Sequence, residues 1–239
     1  MTDSTSLRTP IRTAPGERPR GRHWRQWGLG AALLLAVLLV AAVGAYVGTS
    51  TEPRLALPAV ASPPVGPLSG TWSVGSGSEA GFRVRQTVLG MSGDVVGRTD
   101  SVTGSAVFAD DRVTSARFQV DLTTITANGK ASPQFEESLD TAAYPAATVT
   151  LTQPLAFGPA FASGALATTT VQAELGMDGT QRDVTLTISA RRDGSALEAV
   201  GSTPIAFSDW GIKGPTGYGF LGSLADRGEA EFLLVLHQP

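Results

Sequence analysis

Residues 116–125 read ARFQVDLTTI, which puts Phe118, Val120 and Leu122 on one side of an extended chain and Arg117, Gln119 and Asp121 on the other. Successive side chains of a strand point to opposite faces, so a two-residue period marks a half-buried strand with one apolar wall. The same alternation occupies EAGFRVRQTV (79–88), where Phe82, Val84, Gln86 and Val88 oppose Arg83, Arg85 and Thr87, and it resumes at 105–108. It continues through TVTLTQPLAF (148–157), GALATTTVQAELGM (164–177), DVTLTISARR (183–192), SALEAVGSTPIAFSDWG (195–211) and EAEFLLVLHQ (229–238). Between these runs stand GSGSEAG, ADD, MDGTQ and RRDGS. Asp178-Gly179 and Asp193-Gly194 are dipeptides suited to two-residue hairpins, whose central positions need positive φ.

Eight or so strands joined by hairpins imply an antiparallel meander, and the period alone leaves a sandwich and a closed barrel both open. One stretch differs. SPQFEESLDTAAY (132–144) opens on Ser-Pro, carries early acids and spaces Phe135 and Leu139 four apart, which predicts a short helix stopped by Tyr144-Pro145.

The first sixty residues are of another kind. LGAALLLAVLLVAAVGAYV (29–47) runs nineteen residues without a charge, about the length of a helix crossing the hydrocarbon core. Arg8, Arg12, Arg18, Arg20, Arg22 and Arg25 precede it and the next basic residue is Arg54. The positive-inside bias then puts residues 1–28 in the cytoplasm and the remainder outside, in a single-pass membrane protein. Trp24, Trp27 and Tyr46 flank the run as interfacial rings do. A cleaved signal peptide is the alternative, disfavoured by the length of the apolar run. Residues 48–69 hold five prolines and no apolar period, which predicts an extended tether of about 3 Å per residue before a domain at 70–239.

Charge and composition exclude several classes. The formal charge of −3 conceals six arginines against Asp3 and Glu17 before residue 28, a local +4 that leaves −7 for the rest. An acidic domain without a basic stripe does not suit nucleic acid. With no cysteine, and with His237 three places from the end, neither a thiol nucleophile, a Ser/His/Asp arrangement nor an imidazole or thiolate metal site is expected. Asp110-Asp111 and Glu136-Glu137 read as turn and helix-start charges, so no catalytic residues and no cofactor are expected. One Asn and two Lys among many Arg, Ala and Gly fit a high-GC organism such as an actinobacterium.

The order of these features resembles the YceI family over 68–238. TWSVGSGSEAGFRVRQTV (71–88) is similar to its opening tryptophan and F-x-V strand, and GRTDSVTGSAVFADDRVTSARFQVDLTTI (97–125) to its strand pair leading to V-D-x-x-S-I. FEESLDTAAYP (135–145) keeps the Tyr-Pro that ends its helical stretch. GMDGTQRDVTLTI (176–188), AFSDWGI (206–212) and ADRGEAEFLLVL (225–236) resemble later strands. Where many members carry His in the opening strand, this chain has Ser78 or Glu79 and Gln86. Gly129-Lys130 replaces the Arg-Asp before the helix, and Thr180-Gln181-Arg182 the Thr-Lys-Pro turn.

The resemblance implies a lipocalin-like barrel enclosing a polyisoprenoid or other amphiphilic chain, with no enzymatic activity. On that expectation the lumen is lined by Phe82, Val84, Phe108, Phe118, Val120, Leu122, Phe135, Tyr144, Phe207, Trp210, Tyr218 and Phe220. The Gly-rich KGPTGYGFLGSLAD (213–226) would form a mobile rim, with Tyr218 and Trp210 capping the entrance. The competing reading is a ligand-free β-module tethered to the membrane.

Overall fold

The computed structural model describes residues 52–127, 129–213 and 222–239. Strands β1 (Gly70–Val74) and β2 (Glu79–Val88) both pair with the last strand, β13 (Gly222–His237), so they make one stave interrupted at 75–78. Ser78 bridges the break: its hydroxyl accepts from the Val235 amide at 2.9 Å and donates to the Val235 carbonyl, replacing a lost ladder rung. A second two-part stave follows, with β3 (Met91–Thr99) against β2 and β4 (Val102–Ala109) against β1.

Then come β5 (Arg112–Asp121), a small hairpin of β6 (Thr126–Ala127) and β7 (Lys130–Ala131) beside β3, and helix α1 (Pro133–Ser138). They are followed by β8 (Ala146–Leu151), the short β9 (Leu155–Ala156) on β5, β10 (Ala167–Met177), β11 (Thr180–Asp193) and β12 (Ala196–Ala206). The order β1-β4-β5-β8-β10-β11-β12-β13 returns to β1, every step antiparallel. Eight staves thus close a barrel, which leaves no long unpaired edge and decides between the two architectures that periodicity left open.

The turns follow their residues. Asp178 (φ 50°) and Gly179 (φ 69°) both take the left-handed conformation that a type I′ hairpin needs. The second expected turn moves by one place: Asp193 ends β11 opposite Ala196, so Gly194-Ser195 is the loop. The helix is shorter than 132–144 because Asp140, at φ 43°, turns the chain out of the right-handed spiral two residues after Ser138. Tyr144-Pro145 therefore leads into β8 rather than ending the helix.

The segment expected as a stand-off tether lies, from 52 to 69, on the outside of the barrel. Arg83 donates to the Glu52 carbonyl at 3.0 Å and Arg98 to that of Pro53. The Leu55 amide donates to Glu231, Arg191 bonds the Pro58 carbonyl, and the Ala61 and Ser62 amides donate to Asp193 at 2.8 and 2.6 Å. Arg192 then holds the carbonyls of Val65 and Gly66 at 2.8 and 2.9 Å. An extended proline-rich chain leaves its carbonyls free; Arg83, Arg98 and Arg191 on the outward faces of β2, β3 and β11, and Arg192 from the barrel end beside Trp72, satisfy them. Residues 52–69 are thus part of the folded body together with the strands from Gly70.

The basic tail at 1–28 and the apolar run at 29–47 lie outside the described residues. Among the described residues no helix is long and apolar enough to cross a membrane.

Candidate functional site

One end of the barrel is plugged. Trp72, 1% exposed, donates its indole N–H to the Leu68 carbonyl at 2.8 Å, and Phe108 meets it edge-on with ring centres 6.4 Å apart. Phe161, from a 3-10 turn at Phe161–Ser163, stacks on both Phe108 and Phe157. The Arg192 guanidinium lies over Trp72 at 6.0 Å while its N–H groups hold the strap and the Ala162 carbonyl. The opposite end is covered by α1, which buries none of its own residues fully and touches the barrel through Phe135, edge-on to Phe82 at 4.8 Å.

Between the ends the interior is hollow. A cavity of about 160 Å³ lies under α1, among Phe82, Val84, Leu122, Phe135, Ile205 and Phe207. A second of about 120 Å³ lies toward the plug, among Val102, Phe108, Phe118, Leu151, Ile188 and Leu234. Their walls are almost wholly hydrocarbon. Phe82, Phe118, Val120, Val149 and Phe232 remain only half-buried although their places in the ladder turn them inward. Side chains in a solid core reach native packing density; rings left accessible on the inside face a void.

Of the residues expected to line the lumen, Phe82, Val84, Val120, Leu122, Phe135 and Phe207 border the first cavity, and Phe108, Phe118 and again Val120 the second. Two sit elsewhere. Tyr144 is 41% exposed and its ring covers Gly179 at the β10–β11 turn, because the helix ended early and left the tyrosine on a surface loop. Trp210, on a 3-10 turn at Phe207–Trp210, packs with Val171, Leu175 and Val184 and borders an outer cleft with Arg182, Asp183 and Asp209. Tyr218 and Phe220, and positions 214–221 of the expected rim, lie outside the described residues.

Several lining residues fall outside the expected set, among them Val149, Leu175, Leu186, Ile205 and Phe232. Alternation could have found most of them. In FLLVL (232–236), however, every position is apolar, and only the pairing of Phe232 with Gly201 and of Leu234 with Ala199 settles which residues face inward.

The outer wall is the lumen's opposite in chemistry. Glu231 is 5% exposed, accepts from Arg98 at 2.6 Å and lies 3.5 Å from Arg83. Arg191 and Glu198 pair at 2.7 Å on neighbouring strands. Burial pushes the Glu229 carboxyl up, but hydrogen bonds from Ser202 and Arg54 and the charges of Arg54 and Arg83 outweigh it and hold the group below its ordinary value. The two strap amides hold Asp193 low. At the helix end, burial and then the charge of Asp140 raise Asp178. Among the described residues no group of three or more His, Asp and Glu gathers as a metal site would require.

A family model described as the YceI-like domain matches residues 72–236. No curated protein matches the chain. Among solved structures, a polyisoprenoid binding domain from Saccharophagus degradans implicated in plant cell wall breakdown superposes with a TM-score of 0.55 at 18% identity, covering 71% of this chain and 98% of that one. BcnA of Burkholderia cenocepacia gives 0.46 at 21% identity, covering 64% and 95%.

Proposed function

Because this chain belongs to the YceI-like family, its match running over 72–236, we propose that it binds a polyisoprenoid or similar amphiphilic lipid in the barrel lumen. The observation that carries the reading is a closed barrel whose inward Phe82, Phe118, Val120 and Phe232 border empty apolar space. Filling that space removes hydrocarbon of ligand and wall from water, at roughly 0.8 kcal/mol per buried methylene before the cost of ordering the chain. The Saccharophagus degradans domain, described as polyisoprenoid binding, shares the fold. The plug of Trp72, Phe108 and Phe161 leaves the α1 end as the way in, with Phe135 on Phe82 as its latch.

The proposal includes a membrane tether. The uncharged run at 29–47 would span the bilayer with the arginines of 1–28 in the cytoplasm and the barrel outside, so that a lipid passes between bilayer and lumen without free diffusion. Carbonate-resistant pelleting of the full chain, with the barrel digested by protease added outside, is expected; a chain released by carbonate would contradict the tether. For the ligand, organic extraction of the purified full chain followed by mass spectrometry should release an apolar chain near one per protein. Barrels that are empty from every host, and that take up no added prenol, would leave only the ligand-free module.

A further inference from the structure

The two cavities of the lumen share part of their lining. Ala80, Val120, Val149, Leu186 and Phe232 border both cavities, so these five form the waist between them. Four are aliphatic side chains of modest reach on regular strands. The fifth is a ring. Phe232 packs half-buried against both core clusters, and among the described residues it stacks with no other aromatic ring, unlike Phe82 at one end and Phe108 at the other.

Its seat is particular. Gly201 lies directly across the ladder from Phe232, and a Cβ at 201 would stand 2.5 Å from the ring's Cζ. The ring therefore rests in a notch that exists only because residue 201 has no side chain. We propose that Phe232, seated on Gly201, gates the waist and sets the length of apolar chain this barrel accepts. The inference rests on the lumen reading above and names the specificity-determining side chain for it.

The sizes make the gate matter. A dry cavity of about 150 Å³ accommodates a group such as benzene, and the chamber under α1, at about 160 Å³, is of that order. A prenyl chain entering past Phe135 fills this chamber with its first units and must pass the waist to bury the rest. Short chains stay above the ring. Longer ones gain the second chamber's contacts only by pushing the ring off its seat on Gly201, so their affinity is reduced by whatever that displacement costs.

The test measures displacement of a fluorescent apolar probe from the full chain in detergent by geraniol, farnesol and geranylgeraniol, for wild type, Phe232→Ala, Phe232→Leu and Phe232→Trp. Thermal melting first establishes that each variant is folded. Phe232→Ala is expected to raise the ratio of geranylgeraniol to geraniol affinity about tenfold, and Phe232→Leu to fall between. Phe232→Trp should lower that ratio, gaining nothing from the longer alcohols over geraniol. Length profiles that run parallel across the folded variants overturn the gate while leaving the lumen reading intact. Failure of every prenol to displace the probe from any of the proteins overturns the lumen reading and the gate with it.

Discussion

Glu231 and Phe232 are neighbours on β13 and point to opposite sides of the wall, yet the carboxylate is shut from solvent more completely than the ring. The inversion extends along the strands: Arg83, Arg191 and Glu198 are buried on the outside, while Phe82, Phe118 and Val149 stay accessible within. Burying a charge is costly unless its bonds are met, and here the strap and facing side chains meet most of them: Arg83 holds the Glu52 carbonyl and Asp94, and Arg191 the Pro58 carbonyl and Glu198, while Arg83 Nε has no hydrogen-bond partner. Apolar walls left accessible are a standing unfavourable surface that a ligand removes. The outer face is thus finished by the chain itself, and the inner face, on the proposed reading, by a bound lipid.

That contrast can be broken by mutation, and the largest effect is expected outside. Glu231→Ala strands Arg83 and Arg98 and the Leu55 amide, and removing one member of a buried pair costs about 3–5 kcal/mol. Urea unfolding of Glu231→Ala and Phe118→Ala makes the comparison directly. A packed phenylalanine truncated to alanine also costs about 3–5 kcal/mol, but Phe118 already faces a void, so about 1–2 is expected. A Phe118→Ala loss equal to that of Glu231→Ala would mean that the interior is solid.

Next in size is the converse change. Val149→Trp puts an indole at the waist, where overpacking normally costs about 1–3 kcal/mol; with cavities on both sides the stability loss should stay below about 1 kcal/mol while prenol binding falls at least tenfold. Smaller again is Phe135→Ala, which removes an edge-on pair worth about 0.5–1.5 kcal/mol. Stopped-flow exchange of a bound probe should accelerate several-fold, with the equilibrium melt lowered only slightly. Unchanged exchange would place the entrance elsewhere than under α1.

How much of this was legible in the sequence differs between the two faces. The strands were readable because polar and apolar residues alternate in FRVRQTV and ARFQVDL, and Asp178-Gly179 announced its own turn. Eight of the twelve expected lining positions border a cavity; five of them, Phe82, Val84, Phe108, Phe118 and Val120, do so because inward alternation on a strand and lumen contact are the same property in a barrel. Tyr144 and Trp210 were misplaced because an aromatic side chain carries no sign of the face it occupies once the local period stops. The strap was invisible for a different reason. Five prolines and no period describe a chain that makes no ladder of its own, and they are silent on whether arginines thirty to more than a hundred residues away will hold its carbonyls. Arg83, Arg85 and Arg191 alternated as a solvent-facing row would, and nothing local separates an arginine in water from one on a strap.

The smallest expected effect belongs to the strap and to pH. Strap amides keep the Asp193 carboxyl below its ordinary value of 3.8, so its contribution is fully present above that value and is lost as pH falls through the lower folded one. Hydrogen exchange at Ala61 and Ser62 should be slow at neutral pH and lose protection in strongly acid solution before the barrel strands do. Protection that is independent of pH, or already absent at neutral pH, would show that the carboxylate does not hold the strap.

The most direct test of the hollow interior is photo-crosslinking. A farnesol analogue carrying a diazirine at its tail, bound to the full chain and irradiated, is expected to label inward residues such as Phe82, Val120, Val149 and Phe118, as mapped by peptide mass spectrometry. Labels confined to the strap and the outer wall, with the inward positions untouched, would contradict the account.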